Sequence, residues 1–323
     1  MANTLLSISM ITREAMRVLE NNLVMAKLIN RQYDDRYGIE GAKIGTSLNV
    51  RKPPRYVGRT GQALSIENAV ETQTAVVLDT QRGVDIQFSS SELALSVDDF
   101  SDRFIKPAIA TVANAVDSDV TAQYTAVSNS VGTPGTVPNA ILTYLNAGVK
   151  LNNEAAPNDG DRHLVVGAQM QATIVDALKG LFQASTQIAD QYRRGMMGES
   201  IGFDWWMDQN IASHTVGPLG GTPLVNGANQ TGTSLITDGW TAAAANRVKK
   251  GDVFTVVVNG VNPMSKANTG VARQFVITAD GDSSAAGALT LSIDPGIVAA
   301  GAGQTVSATP ADNDALTFVG AAS

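Results

Sequence analysis

The sequence predicts an α+β protein in which a helix-rich N-terminal part is followed by a glycine-rich β-domain. Apolar residues between positions 104 and 127 recur at spacings of three and four, which is typical of one face of a long helix. Residues 289–293 alternate apolar with polar, which is the period of a half-buried strand. The composition also changes near position 217, since residues 217–323 contain fifteen of the 30 glycines.

The composition excludes several classes of protein. A chain of 323 residues is long enough for two or three domains with their own cores. It contains no cysteine, which excludes a disulfide scaffold, a thiolate zinc site and a cysteine nucleophile. The first residues lack a basic leader followed by an apolar segment, and no stretch approaches the ~18 apolar residues of a membrane span. We therefore expect a protein that remains in the cytoplasm where it is made and binds no membrane.

The charge is divided unevenly along the chain. Residues 1–60 contain ten Lys and Arg against five Asp and Glu, whereas residues 61–323 contain thirteen against twenty-five. Such a division suits nucleic-acid binding, but it equally suits a basic end of one copy that contacts the acidic body of another.

Residues 10–33 are predicted to form one amphipathic helix with Ser9 as its N-cap. Its apolar face includes Ile11, Val18, Met25 and Ile29. Two interpretations stay open: a helix packed on the core of its own chain, or an arm that packs on a neighbouring subunit.

Residues 43–59 form a basic stretch without any acidic residue. Its cations are Lys43, Arg51, Lys52, Arg55 and Arg59. The Pro-Pro pair at its centre excludes a helix and favours an extended backbone. The stretch is either a solvated loop or a loop whose cations contact carboxylates of an adjacent molecule.

The next segments predict strands and then helices. Residues 69–79 and 84–88 are expected to pair around a turn at 81–83. A long buried helix is expected over 98–128. Three aspartates (Asp98, Asp99 and Asp102) favour its start, and Pro107 is expected either in its first turn or at a kink between a short and a long helix.

A new α/β layer is predicted after the Gly/Pro-rich break at 129–138. It comprises a helix over 139–153, a strand over 162–166, a helix over 168–179 and a strand near 211–215. Beyond it, strands at 253–258, 274–278 and 289–293 predict a small β-barrel or sandwich.

The sequence offers no catalytic, cofactor-binding or metal-ligating residues. His163 and His214 are far apart in sequence, and we expect both to be structural. The Asp pairs at 280/282 and 312/314 favour turn chemistry over calcium, because neither continues into the ligand spacing of a calcium loop. Phosphate-binding and nucleophile motifs are absent.

Three phrases resemble one family of structural proteins. They are SSSELALSVDDFSDRFIKPAIATVANAVDSDV (89–120), QIADQYRRGMMGESIGFDWWMDQNIASHTVG (187–217) and VKKGDVFTVVVNGVNPMSKANTGVARQFVITA (248–279). Together with the order of the segments, they resemble the major capsid (coat) protein of tailed double-stranded DNA bacteriophages with the Hong Kong 97-type fold. Within that family the sequence is most similar to the Salmonella-podophage class, which carries an inserted β-domain.

The resemblance implies a domain organisation. It makes 1–40 an N-terminal arm, 41–90 an extended β-loop, 91–138 a peripheral domain with the spine helix, 139–216 an axial α/β domain and 217–323 the inserted small β-barrel. Family members return from the insertion to complete other sheets, whereas this sequence stops at LTFVGAAS. We therefore expect either residues missing after Ser323 or a shorter closing path.

The resemblance also implies a function and its partners. It implies a non-enzymatic subunit, without cofactor, that self-assembles into hexamers and pentamers of an icosahedral virion shell, built in the host cytoplasm with a scaffolding protein and a portal. The shell would enclose double-stranded DNA without sequence specificity. Candidate assembly residues are Lys43, Arg51, Lys52, Arg55, Arg59, Ile11, Val18, Met25 and Ile29.

Other classes remain as alternatives. A microbial nanocompartment shell would have the same fold with a protein cargo. A surface-layer protein or adhesin would also be non-catalytic but normally needs an export signal, and an enzyme that uses carboxylates alone is the third alternative.

Overall fold

The structure, a computed structural model, combines helices with three β-sheets, as expected for an α+β protein. It describes residues 13, 15–17, 19, 23–29, 47–64, 66–69, 71–77, 79–85, 104–178 and 198–321. The chain divides into two compact units. The first comprises Met1–Arg51, Gln73–Ala122 and Trp206–Ala212, and the second comprises Lys52–Thr72, Gln123–Trp205 and Ser213–Ser323. The five segments predicted above remain predictions.

The first unit begins with an interrupted helix. The backbone is helical at the described positions between 13 and 19, and helix α1 spans Met25–Leu28, but Leu23 and Val24 lie outside any helix. The prediction of one continuous helix over 10–33 is therefore wrong at this point. The backbone N–H groups of Val24 and Ala26 donate to the carboxylate of Asp117, which starts a new helix here.

One strand of the basic stretch pairs with a later, uncharged strand. Strand β1 (Ser47–Lys52) and strand β2 (Thr72–Val77) form a two-stranded sheet. The predicted pairing of 69–79 with 84–88 is not formed at Val84 and Asp85, which lie outside any strand, and 86–88 lie outside the described residues. Prolines follow β1 directly and cannot donate to a ladder, so β1 ends where they begin.

The long helix α2 spans Lys106–Thr121 and continues as a 3₁₀ helix over Ala122–Ala126. Pro107 lies in its first turn, which confirms the first of the two expectations for this residue. The expected burial is only partly correct, because the apolar positions 108, 112, 116 and 120 are half-buried. The buried residues of α2 are Ala113 and Asp117. The acidic positions 98, 99 and 102 lie outside the described residues.

The second unit contains the α/β layer. Helix α3 (Ile141–Asn153), strand β3 (His163–Val166) and helix α4 (Ala168–Leu178) confirm three predicted elements. Strands β4 (Glu199–Ser200) and β5 (Phe203–Met207) complete a sheet of order β3-β5-β4. Its core consists of Tyr144, Val166, Ile174, Phe203 and Trp205. The strand predicted near 211–215 is wrong, since residues 208–220 form no strand.

The β-domain contains six strands. They are β6 (Gly221–Val225), β7 (Gly232–Trp240), β8 (Val253–Val261), β9 (Asn268–Ile277), β10 (Leu289–Ile297) and β11 (Thr317–Phe318). The sheet has the order β11-β8-β9-β10-β7-β6, with antiparallel neighbours. The segment over 314–318 contacts strands at both ends of this order. Its strand β11 pairs with β8. Next to β6, the Leu316 N–H donates to the carbonyl oxygen of Pro223, and the Val225 N–H donates to the carbonyl oxygen of Asp314. The sheet is therefore barrel-like.

Fifteen buried apolar side chains fill the interior of this sheet. Phe254 is at its centre, with its ring stacked on Phe275 at 5.6 Å and 5.4 Å from the ring of Phe318. Burial of a large apolar side chain contributes roughly 1.5–3 kcal/mol, so this interior is the main source of stability in the domain. In the part of the chain that the structure describes, no helix has the length and apolar character needed to cross a membrane.

Candidate assembly interface

Residues 51–85, called the exposed segment below, are the largest stretch without burial in the described chain. Every described residue in it is exposed. Leu64 and Ile66 have 84% and 89% of their surface open to solvent. Smaller apolar surface is open at Tyr56 and Val76. Because a large apolar side chain gains about 1.5–3 kcal/mol on burial, these positions can contribute to association with a partner.

The predicted cations of this segment differ in their contacts. Arg51, Lys52, Arg55 and Arg59 are all exposed. The Arg59 guanidinium donates to the backbone carbonyl groups of Gly61 and Ala63, the latter at 3.0 Å. Arg59 therefore stabilises the conformation of its own loop. Its position in a basic stretch did not predict this role.

Glu67 was not singled out by the sequence, yet it takes part in the same loop. Its carboxylate accepts a 2.8 Å hydrogen bond from the backbone N–H of Val57. It also acts on Lys266, in the turn between β8 and β9: burial lowers the pKa of Lys266, Arg55 lowers it further, and Glu67 raises it. Arg55 and Glu67 are thus close enough to this turn to affect its charge.

Arg82, at the other end of the exposed segment, makes a two-bond ion pair with Asp119 of α2. Nε donates to Oδ2 at 2.7 Å and Nη2 donates to Oδ1 at 2.6 Å. These hydrogen bonds raise the pKa of Arg82 and hold the pKa of Asp119 below its ordinary value. The sequence analysis treated Arg82 only as part of a turn, because nothing in a sequence joins positions 37 residues apart.

Part of the apolar face predicted for 10–33 packs within its own chain. Met25 is half-buried in α1, while Ile29 is exposed. Helix α1 is fixed to α2 through the carboxylate of Asp117, which is 1% exposed. The contacts of α1 that the structure shows are therefore with its own chain. Ile11, Val18 and Lys43 lie outside the described residues, as does Ser9.

His214 lies in a buried polar network of the second unit. Its Nε2 is 2.6 Å from Oδ1 of Asp252, and its Nδ1 is 2.9 Å from the hydroxyl of Tyr124. The Nε2–H tautomer satisfies both contacts, with Nε2–H donating to the carboxylate and Nδ1 accepting from the hydroxyl. The same carboxylate accepts N–H groups of Gly217 and Lys249.

This network resembles a catalytic triad only in outline. Burial raises the pKa of Tyr124, and the charge of Asp252 raises it further. A phenol in this state is a poor nucleophile at neutral pH, because little of it is ionised. The network borders a cleft of about 310 Å³ whose lining includes Val127, Pro134 and Val216. Both ring nitrogens of His214 are therefore engaged within the chain.

His163 is close to two carboxylates. Its Nε2 is 3.1 Å from Asp161, and its Nδ1 is 3.6 Å from Asp204, too far for a hydrogen bond. Among the described residues, no group of three or more potential ligands is placed to hold a metal ion.

The aspartates that the sequence analysis weighed against calcium act as acceptors for backbone N–H groups. Asp280 accepts from Lys250 and Asp282 accepts from Asn246. In the second pair, Asp312 accepts from Gly227 and Asp314 accepts from Ala311. Only Asp314 binds within its own turn, as expected; Asp280, Asp282 and Asp312 accept from N–H groups that lie 30, 36 and 85 residues away in sequence.

No protein-family model matches the chain, and no curated protein is similar to it. A solved structure from Mycobacterium phage Che8 is similar with a TM-score of 0.42 and 16% sequence identity, and the match covers 87% of this chain and 89% of that chain.

Proposed function

We propose that the chain is the major capsid protein of a tailed double-stranded DNA bacteriophage, with a Hong Kong 97-type fold. It assembles into hexamers and pentamers of an icosahedral shell. The observation that carries the proposal is the exposed segment, in which each described residue is open to solvent. A chain with such a segment gains apolar cover from other copies.

The energetics of a shell fit contacts of this kind. A single exposed ion pair contributes only about 0–1 kcal/mol, so no one arginine has to be decisive. In a closed shell each contact is repeated by symmetry, and many modest contacts together give a stable particle. The apolar positions Leu64 and Ile66 would add the larger contribution for each contact.

The proposal assigns a structural role rather than catalysis. Both ring nitrogens of His214 are engaged with Asp252 and Tyr124, which supports a structural role for that histidine. The same proposal includes a scaffolding protein and a portal as partners, packaged DNA without sequence specificity, and a location in the virion.

Electron microscopy of the purified protein tests the proposal. We expect closed shells of uniform diameter that contain DNA when taken from infected cells. Closed shells with a protein cargo would indicate a nanocompartment instead, and flat lattices would indicate a surface layer. Small oligomers of one size, under all assembly conditions, would overturn the proposal.

Substitution of the two most exposed apolar residues of the segment tests whether they form a contact between subunits. The double substitution Leu64→Ser and Ile66→Ser should leave the unfolding midpoint of the subunit unchanged, because both side chains are exposed, and should abolish or strongly reduce shell formation. Val257→Ser is the matched control, since Val257 is an equally apolar side chain that is 73% exposed in the β-domain. Normal shells from the double variant would contradict the role assigned to this segment.

Two sets of alanine substitutions test the cations of the exposed segment. Replacing Arg51, Lys52 and Arg55 by alanine should weaken shells most at low ionic strength, where screening is least. Adding Arg59→Ala to this set also removes the hydrogen bonds to Gly61 and Ala63, so it should weaken assembly further. Shells of unchanged resistance to salt and heat from both sets would count against the proposal.

A further inference from the structure

The cleft beside the His214 network has an apolar lining that is partly open to solvent. Its volume is about 310 Å³. The apolar lining residues are Val127, Pro134, Val216, Val253 and Val319. Val127 is 52% exposed, so water contacts part of this lining in the isolated chain. Cover by an apolar partner is therefore favourable, because it removes this surface from water.

The lining of the cleft contains no ionic side chain that could pair with a charged ligand. Among the described residues that line it, none is Lys, Arg, Asp or Glu. His214 also lines it, but both of its ring nitrogens are engaged with Asp252 and Tyr124. A charged ligand would lose hydration on entry without gaining an ion pair. The cleft favours an uncharged, apolar occupant, and Asn129 and Ser130 are polar lining residues that can hydrogen-bond to its backbone.

Residues 60–66 of the exposed segment, called the tip below, have the matching chemistry. Their sequence, TGQALSI, contains no charged residue. Leu64 and Ile66 are 84% and 89% exposed. A cavity of about 150 Å³ holds one benzene-sized group. The 310 Å³ cleft therefore has room for both aliphatic side chains.

The tip does not fill the cleft of its own chain, since both of its large apolar side chains are open to solvent. A neighbouring copy can supply it. In a ring of copies, each chain then inserts its tip into one neighbour and receives the tip of the other. A contact between two different surfaces of this kind closes into rings, which is the symmetry of hexamers and pentamers.

We propose that the cleft beside His214 receives the tip of a neighbouring copy. Leu64 and Ile66 of that copy are buried against the valines of the cleft. The inference rests on the proposed shell function and adds to it the surface that covers the exposed segment. All lining residues belong to the second unit, so each chain carries a complete receiving site.

Cross-linking of assembled particles tests the contact, and the absence of cysteine from the chain makes the test clean. Subunits with Leu64→Cys are mixed with subunits with Val127→Cys, assembled and treated with a short bismaleimide. We expect cross-linked dimers from the mixture and none from either variant alone. Leu142→Cys is the matched control for the cleft position, because Leu142 is an apolar residue of α3 that is 62% exposed and lies outside the cleft.

The outcomes separate this inference from the proposed function. Normal shells without cross-links between positions 64 and 127 would overturn the inference and leave the shell function standing. Cross-links of Leu64→Cys with itself, or with Leu142→Cys alone, would assign the tip to another surface and would also overturn it. Cross-linked dimers from a protein that never forms closed shells would support the contact and contradict the shell function.

A variant that fills the cleft tests the same contact without cross-linking. Val127→Trp should raise the protein concentration needed for assembly about tenfold or more, because the tip loses its apolar cover. Leu142→Trp is the control and should assemble like the parent. If the tip and the cleft are partners, Val127→Trp and Leu64→Ala together should have less than the product of their separate effects. Fully multiplicative effects, or normal assembly of Val127→Trp with an unchanged unfolding midpoint, would overturn the proposal.

Discussion

The β-domain over 217–319 and the exposed segment over 51–85 use similar residues in opposite ways. Both contain strands with valines, such as Val76 in β2 and Val256 in β8. In the β-domain, each strand has neighbours, and its inward side chains are buried, as Phe254 and Phe275 show. Strand β2 of the exposed segment has β1 as its neighbour among the described strands, and all six of its side chains are open, whereas Leu48 and Val50 of β1 are half-buried. Strand formation alone therefore does not bury a side chain, and a second layer is required.

The largest expected effect concerns the centre of the β-domain. Phe254→Ala should lower the free energy of unfolding by about 3–5 kcal/mol, because it leaves a cavity next to Phe275 and Phe318. Val257→Ala, in the same strand but 73% exposed, should change it by less than about 0.5 kcal/mol. Urea unfolding of the two variants measures the difference. Equal effects would contradict the contrast between inward and outward positions of β8.

A smaller effect is expected at the buried carboxylate of Asp252. Asp252→Asn should lower the free energy of unfolding by about 1–3 kcal/mol, since one oxygen that accepts N–H groups becomes an amide donor. The new donor faces His214 Nε2, so the ring should change to the Nδ1–H tautomer and donate to the Tyr124 hydroxyl. Nitrogen NMR of His214 measures the tautomer. An unchanged Nε2–H signal would contradict the assigned network.

The smallest effect is expected at the ion pair of the exposed segment. Arg82→Met should return the pKa of Asp119 towards its ordinary value, because the hydrogen bonds and charge that lower it are lost. A lowered folded-state pKa stabilises the fold above the unfolded-state pKa, and this contribution disappears as the pH falls through the folded-state value. The parent should thus lose slightly more stability than Arg82→Met on acidification. Carboxyl NMR titration of Asp119 checks the direction.

The elements that the sequence predicted best are those with a local signal. Helices α3 and α4 and strands β8 and β10 follow from periodicity, and their starts agree with the expected ones within about two residues. The strand expected at 211–215 shows the limit of this reasoning. Alternation indicates an extended backbone, but it does not indicate whether a neighbouring strand is present to pair with.

The long-range contacts could not be predicted from the sequence. Asp117 lies between apolar residues in a helical pattern, yet it binds the backbone N–H groups of Val24 and Ala26, about ninety residues earlier. The ion pair of Arg273 in β9 with Glu154, which follows α3, likewise joins positions 119 residues apart. Of the candidate site, the exposure and basic character of 51–59 were predictable, whereas the local role of Arg59 required coordinates.

The way in which residues 313–318 join both edges of the β-sheet has a consequence for biosynthesis. Residue 225 meets residues 313 and 314, so the sheet lacks its final partner until nearly ninety further residues have been translated. A nascent chain halted between these points would present unpaired strand edges, which favour aggregation. At a translation rate of about 5–20 residues per second, this vulnerable interval lasts several seconds on each ribosome.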